Sequence, residues 1–79
     1  MASSGQPSGE PTTRQGIDDL RAEIEELEGP ARQRMAARIK EARELGDLSE
    51  NADYHIAKED QAHLETRIKR LRGKLKHAV

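Results

Sequence analysis

Two acidic residues, Asp47 and Glu50, stand three positions apart in the run Gly46-Asp47-Leu48-Ser49-Glu50-Asn51. At that spacing two side chains share a face at the start of a helix. Such a pair of hard carboxylates can bind one Mg²⁺ that keeps most of its waters and also contacts phosphate. Two residues are too few for an all-protein site, so a metal held here must take its other ligands from elsewhere. A plainer role fits the same spacing, and spacing alone favours it. Asp47 or Ser49 caps the helix that follows, with Asp47 and Glu50 as a capping box.

Two further groups could do chemistry. Arg32, Arg34, Arg38, Lys40 and Arg43 form a basic belt, suited either to RNA phosphates and acidic walls or to a solvated helix face, with neither reading preferred. His55 with Glu59, and Glu59 with His63, have the i,i+4 spacing of metal ligands. No further ligand is in sight, and surface histidine is the favoured reading. Tyr54 reads as an apolar-seam residue that closes the turn.

The elements that must position these residues follow from composition and period. Of 79 residues, 33% are hydrophobic and 37% charged, with Tyr54 as the sole aromatic. That is too little for a globular core, and leaves disorder or long helices joined along one narrow seam. Periodicity decides for helices. Ile17, Leu20, Ile24, Leu27 and Ala31 recur in steps of three and four, continued in steps of four by Met35 and Ile39 and then by Ala42. Tyr54, Ala57, Gln61, Leu64, Ile68, Leu71 and Leu75 alternate three and four without a miss. Each set is one buried stripe on a helix.

Gly46 suits a helix C-cap, and the chain turns there. Folded at that turn, Ala42 meets Tyr54, Ile39 meets Ala57 and Met35 meets Gln61, with position numbers adding to 96 each time. Ala31 with Leu64, Leu27 with Ile68, Ile24 with Leu71 and Leu20 with Leu75 add to 95. One turn thus aligns both stripes, giving arms about 45 Å long at about 1.5 Å per residue. Acidic residues Asp18, Asp19, Glu23, Glu25, Glu26 and Glu28 at the base of the first arm fall near Lys69, Arg70, Arg72, Lys74 and Lys76 on the second. That favours antiparallel pairing. The sequence therefore predicts an all-α, antiparallel two-helix coiled-coil hairpin: a helix over about 13–45, a turn over 46–49 and a helix over about 50–77. Gly29-Pro30 predicts a kink in the first arm, because proline removes a helical hydrogen bond; a true break into three helices is the alternative. Residues 1–12, rich in Ser, Gly and Pro, read as a disordered tail. Thr12 with Gln15 has the spacing of a capping box, so order is expected from Thr12 or Thr13.

A net charge of −1 gives no general argument for nucleic acid, and zero cysteines exclude a disulfide frame or thiolate metal site. No apolar run approaches the roughly 20 residues of a membrane span, so no membrane partner is expected and a cytoplasmic location is the default.

The stretch from Arg43-Glu44-Leu45-Gly46-Asp47-Leu48-Ser49-Glu50-Asn51-Ala52-Asp53-Tyr54-His55 to Ala57-Lys58-Glu59 resembles the tip signature of the bacterial Gre transcript cleavage factors, GreA and GreB. The resemblance runs from about Thr13 to the end and includes Pro30 and Glu65-Thr66-Arg67-Ile68. It implies a hairpin that enters the secondary channel of RNA polymerase. Its tip acids there help hold the second catalytic Mg²⁺ and position water, and the polymerase cuts the extruded 3′ end of a backtracked transcript. By that match the acids are Asp47 and Glu50, which assist the polymerase's Mg²⁺, a metal that the isolated chain does not hold. Ser49, Asn51 and Tyr54 match tip neighbours. Arg43 and Lys58 match basic positions near the tip, with Arg32, Arg34 and Arg38 as further candidates for polymerase or RNA contact. The chain is then no enzyme itself but a stimulator of the polymerase's endonuclease activity.

Gre factors also carry an FKBP-like domain that docks at the channel rim. That domain is expected to be absent from these 79 residues, either because the chain is an N-terminal domain or because the hairpin stands alone. Without the tether, effective concentration at the channel falls. A monomer with weak self-association is expected, marginal in stability with only one seam buried. Two other functions fit the same hairpin: a non-catalytic channel binder that inhibits or competes with other factors, and a structural coiled coil that dimerises end to end.

Overall fold

The computed structural model describes residues 13–78. The expected tail, residues 1–12, lies outside the described residues. Helix α1 (Arg14–Glu26) passes through a π turn, Leu27–Ala31, into α2 (Arg32–Glu44); a 3₁₀ turn, Leu48–Glu50, then leads to α3 (Ala52–Ala78). The described residues are helical with no strand among them, and they extend 52 × 22 × 19 Å.

The first helix is capped by Thr13, whose side chain accepts from the Gly16 N–H at 3.0 Å. Thr12, expected to pair with Gln15, lies outside the described residues. Thr13 has extended backbone, φ −108° and ψ 159°, as an N-cap requires. Gln15 instead donates to Asp19 within the helix, at 2.7 Å.

Pro30 does not split the first arm. Lacking an N–H, it breaks the ordinary i→i−4 ladder, and the chain responds by adding a residue to one turn. The Arg32 N–H reaches back to the Leu27 carbonyl, the five-residue step of a π turn. The same device explains the seam. Leu27, Ala31, Met35 and Ile39 follow one another in steps of four, which would drift off an unbroken α-helical stripe. The wider turn takes up that drift, so Ile24 and Ile39 are both buried.

The arms pack along the expected stripe. Leu20, Ile24 and Leu71 form a buried cluster flanked by Leu27 and Leu75, and Ile68 is 3% exposed above them. Large aliphatic side chains supply the burial here, at roughly 1.5–3 kcal/mol for each one fully buried. Nearer the turn the buried residues are Ile39, Ala42 and Ala57, the last with no exposed surface. Small side chains there bring the helices close and keep the far end thin.

Ion pairs between the arms flank the seam. Arg32 grips Glu65 with two hydrogen bonds, 2.9 and 2.7 Å. Arg72 grips Glu28 in the same bidentate way, one of its bonds at 2.7 Å. Arg38 meets Asp60 at 2.7 Å, and Arg67 donates to Glu23. The hydrogen bond from Arg72 holds the Glu28 carboxyl below the usual carboxylate range, and that from Arg32 does the same for Glu65. The partner guanidiniums are pushed up correspondingly. All are exposed enough for water and salt to screen them, so they set alignment more than stability.

Candidate functional site at the hairpin tip

The turn is made by two consecutive left-handed residues. Gly46 has φ +86°, which glycine adopts without steric penalty, and ends α2 as its position predicts. Asp47 follows at φ 43° and ψ 64°, a conformation that Asp and Asn tolerate better than other side chains. The chain then makes the 3₁₀ turn, in which the Glu50 N–H donates to the Asp47 carbonyl at 3.0 Å.

The second helix begins at Ala52, later than the expected position near 50, because residues 48–50 are spent in that turn. Its cap is therefore neither Asp47 nor Ser49. Asn51 takes that place, its Oδ1 accepting from the Tyr54 N–H at 3.0 Å. Asp47 makes no side-chain cap at all. Asn51 also closes the tip. It is the one buried polar residue among those described, and its amide donates to the Ala42 carbonyl at 2.7 Å and the Gly46 carbonyl at 3.2 Å. One side chain thus ties the end of α2, the turn and the start of α3 together.

This arrangement releases the carboxylates. Asp47 and Glu50 are both exposed. The Ser49 hydroxyl donates to Asp47 Oδ1 at 3.3 Å, and among the described residues no hydrogen bond engages the Glu50 carboxylate. Tyr54 is half-buried beside Asn51, its ring 5.8 Å from that of His55 in an edge-on contact. The His55 Nε2 sits 3.3 Å from the Ser49 carbonyl, so this imidazole braces the 3₁₀ turn. His63 is exposed on α3.

The basic belt is largely occupied by the hairpin itself. Arg32 and Arg38 are paired across the seam, Arg34 holds Glu26 at 3.1 Å, and Lys40 lies 3.8 Å from Glu44. Arg43, in the last turn of α2, has no carboxylate partner among the described residues. Lys58 donates to Gln61 at 3.0 Å. Of the basic candidates, Arg43 and Lys58 are the ones without an acidic partner.

Among the described residues no group of three or more His, Asp or Glu side chains could hold a metal by itself. The tip offers two exposed carboxylates with spare lone pairs, a donor set that suits a shared hard cation and not an enclosed one. None of the described helices is long and apolar enough to cross a membrane.

Sequence reasoning missed the second role of Asn51, naming it only as a tip neighbour. Its signal was available: Asn is among the strongest N-cap residues, and Asp53 supplies the acid favoured in a first helical turn. It also missed the outward apolar residues Leu45, Leu48 and Ile56, which lie off the seam near the tip.

Residues 10–79 match the family described as transcription elongation factor, N-terminal, of GreA and GreB. The chain is 51% identical over 70 residues to the transcription elongation factor GreA of Nautilia profundicola, covering 89% of this chain and 43% of that protein. It is 48% identical over 68 residues to GreA of Thioalkalivibrio sulfidiphilus, covering 86% and 43% of the two chains. It is 48% identical over 66 residues to GreA of Streptomyces avermitilis, covering 84% and 40%. The chain thus spans less than half the length of these relatives. No solved structure matches it significantly. With its two-armed hairpin, its glycine-aspartate turn and a match over nearly the whole sequence, the chain belongs to the N-terminal family of the Gre transcription elongation factors.

Proposed function

We propose that this hairpin enters the secondary channel of bacterial RNA polymerase and stimulates cleavage of backtracked RNA at its 3′ end, with Asp47 and Glu50 as the working groups. The observation that carries this reading is the division of labour at the tip. Asn51 caps α3 and closes the turn, so neither Asp47 nor Glu50 has to cap the helix, and the one bond their carboxylates make is the long, exposed one from Ser49 to Asp47. Two charged groups left exposed at the end of a 52 Å rod are placed for use by something outside the chain.

The shape suits the task. A body 22 × 19 Å across is narrow enough to enter a pore as one rod, and the ion-paired arms keep it straight in transit. At the reacting phosphate, Asp47 and Glu50 supply oxygen ligands and accept hydrogen bonds from water. The left-handed turn and the Asn51 clamp fix where those oxygens sit, which is the positional part of catalysis. A second Mg²⁺ shared with the polymerase would stabilise the attacking and leaving oxygens of the phosphoryl displacement. The chain contributes ligands and placement; the nuclease centre is the polymerase's. Arg43 and Lys58, both without an acidic partner, are the basic side chains nearest the tip that remain available to RNA phosphates or channel walls.

The test is a stalled, backtracked elongation complex given the full chain with Mg²⁺. Accelerated release of short 3′ fragments is the expected result. Slowed elongation with no fragment release would replace this reading by that of a channel-occupying inhibitor.

A further inference from the structure

The described residues expose three large aliphatic side chains, and all three lie at the tip: Leu45 is 68% exposed, Leu48 39% and Ile56 49%. None belongs to the seam. Leu45 and Ile56 both line an open cleft of about 570 Å³, together with Ala42. The lining also carries Glu41, Glu44 and Asp53 against one cation, Arg38; Glu44 has only the long 3.8 Å exposed contact with Lys40. That guanidinium is already committed to Asp60 at 2.7 Å. The cleft therefore combines aliphatic side chains with an excess of acid.

We propose that this cleft is a docking surface for a cationic protein segment, one that seats an aliphatic side chain between Leu45 and Ile56 and sets Lys or Arg residues against Glu41, Glu44 and Asp53. The proposal rests on the polymerase-binding reading in taking that enzyme as the protein that presents the segment. Exposed aliphatic side chains beside charged ones are the usual makings of a protein contact, and the sign of the charge selects the partner. RNA is the wrong occupant, because its phosphates would face three carboxylates. A second copy is also disfavoured, since it would bring those acids against their own duplicates. The cleft lies on the flank of the rod beside the tip acids, so a contact there fixes how far the rod enters and how it is rotated. The carboxylates would then be presented in one orientation.

The probe is bacterial core RNA polymerase, titrated with the fluorescently labelled full chain in the micromolar range. The variants are Leu45→Ser with Ile56→Ser and, separately, Glu41→Gln with Glu44→Gln. Both sets change exposed side chains, and circular dichroism checks that helicity is retained. The apolar double variant should bind about tenfold more weakly or worse, as expected when a central anchor is removed. The charge variant should bind more weakly at low salt and show a flatter salt dependence. If wild type binds and both variants stay within twofold of it, the cleft is not the docking surface while the polymerase reading stands. If wild type does not bind at micromolar concentration, both readings fall. A concentration-dependent dimer in light scattering that Leu45→Ser abolishes would make the cleft a self-interface and overturn the proposal.

Discussion

The two ends of the hairpin are held by different forces. Toward the base, Leu20, Ile24, Ile68 and Leu71 bury large aliphatic surface, with bidentate arginine pairs alongside. Beyond Ile39, toward the tip, the buried residues are Ala42, Ala57 and the polar Asn51, whose bonds to two carbonyls and one N–H take over from the hydrophobic core. Apolar burial needs bulk, and bulk would thicken the tip, which the proposed entry into a channel requires to be narrow. A buried amide holds the turn without bulk and occupies the capping position that an acid would otherwise fill. The difference separates stability from tip geometry: the base stabilises, Asn51 shapes, and the carboxylates are left exposed.

That contrast can be broken most severely at the base. Ile68→Ala removes the best-buried large side chain and should destabilise the whole hairpin by about 2–5 kcal/mol, read as loss of helicity in thermal melts. Asn51→Ala should act locally. It removes a helix cap and one of the two donors to the Ala42 carbonyl, which keeps the Leu45 N–H, together worth about 1–2 kcal/mol. Amide exchange should accelerate through residues 46–55 while the base stays protected, and equal loosening at both ends would refute the division. Ala57→Leu tests the close approach of the arms near the tip. Overfilling a position with no exposed surface should cost about 1–3 kcal/mol and splay the turn more than the base.

The smallest effect is expected from acid. The folded-state pKa values of Glu28 and Glu65 are lowered, so their contribution is present above the unfolded carboxylate pKa of about 4.3 and lost as pH falls through the folded values. The melting temperature should therefore decline modestly below about pH 4. Glu28→Gln with Glu65→Gln should flatten that decline, and high salt should shrink it.

How far the sequence announced this structure depended on the kind of interaction. The seam was legible because a helix converts apolar spacing directly into a face. Every seam residue from Leu20 to Leu75 is buried or half-buried as its position requires. The pairing of the arms followed from register, and the Arg72–Glu28 pair joins the acidic and basic sets at the base. The response to Pro30 was half legible. Gly29-Pro30 marked a disturbance, and the steps of four after Leu27 were visible, but which hydrogen bonds would lengthen is decided only when the arms pack. The tip was misread in one respect. Asp47, Ser49 and Asn51 can all cap a helix, and the choice among them turns on where the left-handed residues fall. Two in succession, Gly46 and Asp47, push the helix start to Ala52 and hand the cap to Asn51. The partners of the basic belt were equally hidden, since each depends on rotamers and on the register of neighbours.

The claim that the tip acids act on an outside substrate and not on the fold is tested most directly by paired melts and cleavage assays of Asp47→Asn with Glu50→Gln. Asn keeps the left-handed backbone that Ala would strain, and both changes remove charge with little change of shape. The expected result is a melting temperature within about 2 °C of wild type, because Glu50 makes no hydrogen bond among the described residues and Asp47 has only the long, exposed one from Ser49, which Asn can still accept. Fragment release from backtracked complexes should meanwhile fall to the level seen without the protein. A variant that melts distinctly lower, or that still cleaves like wild type, would contradict the account.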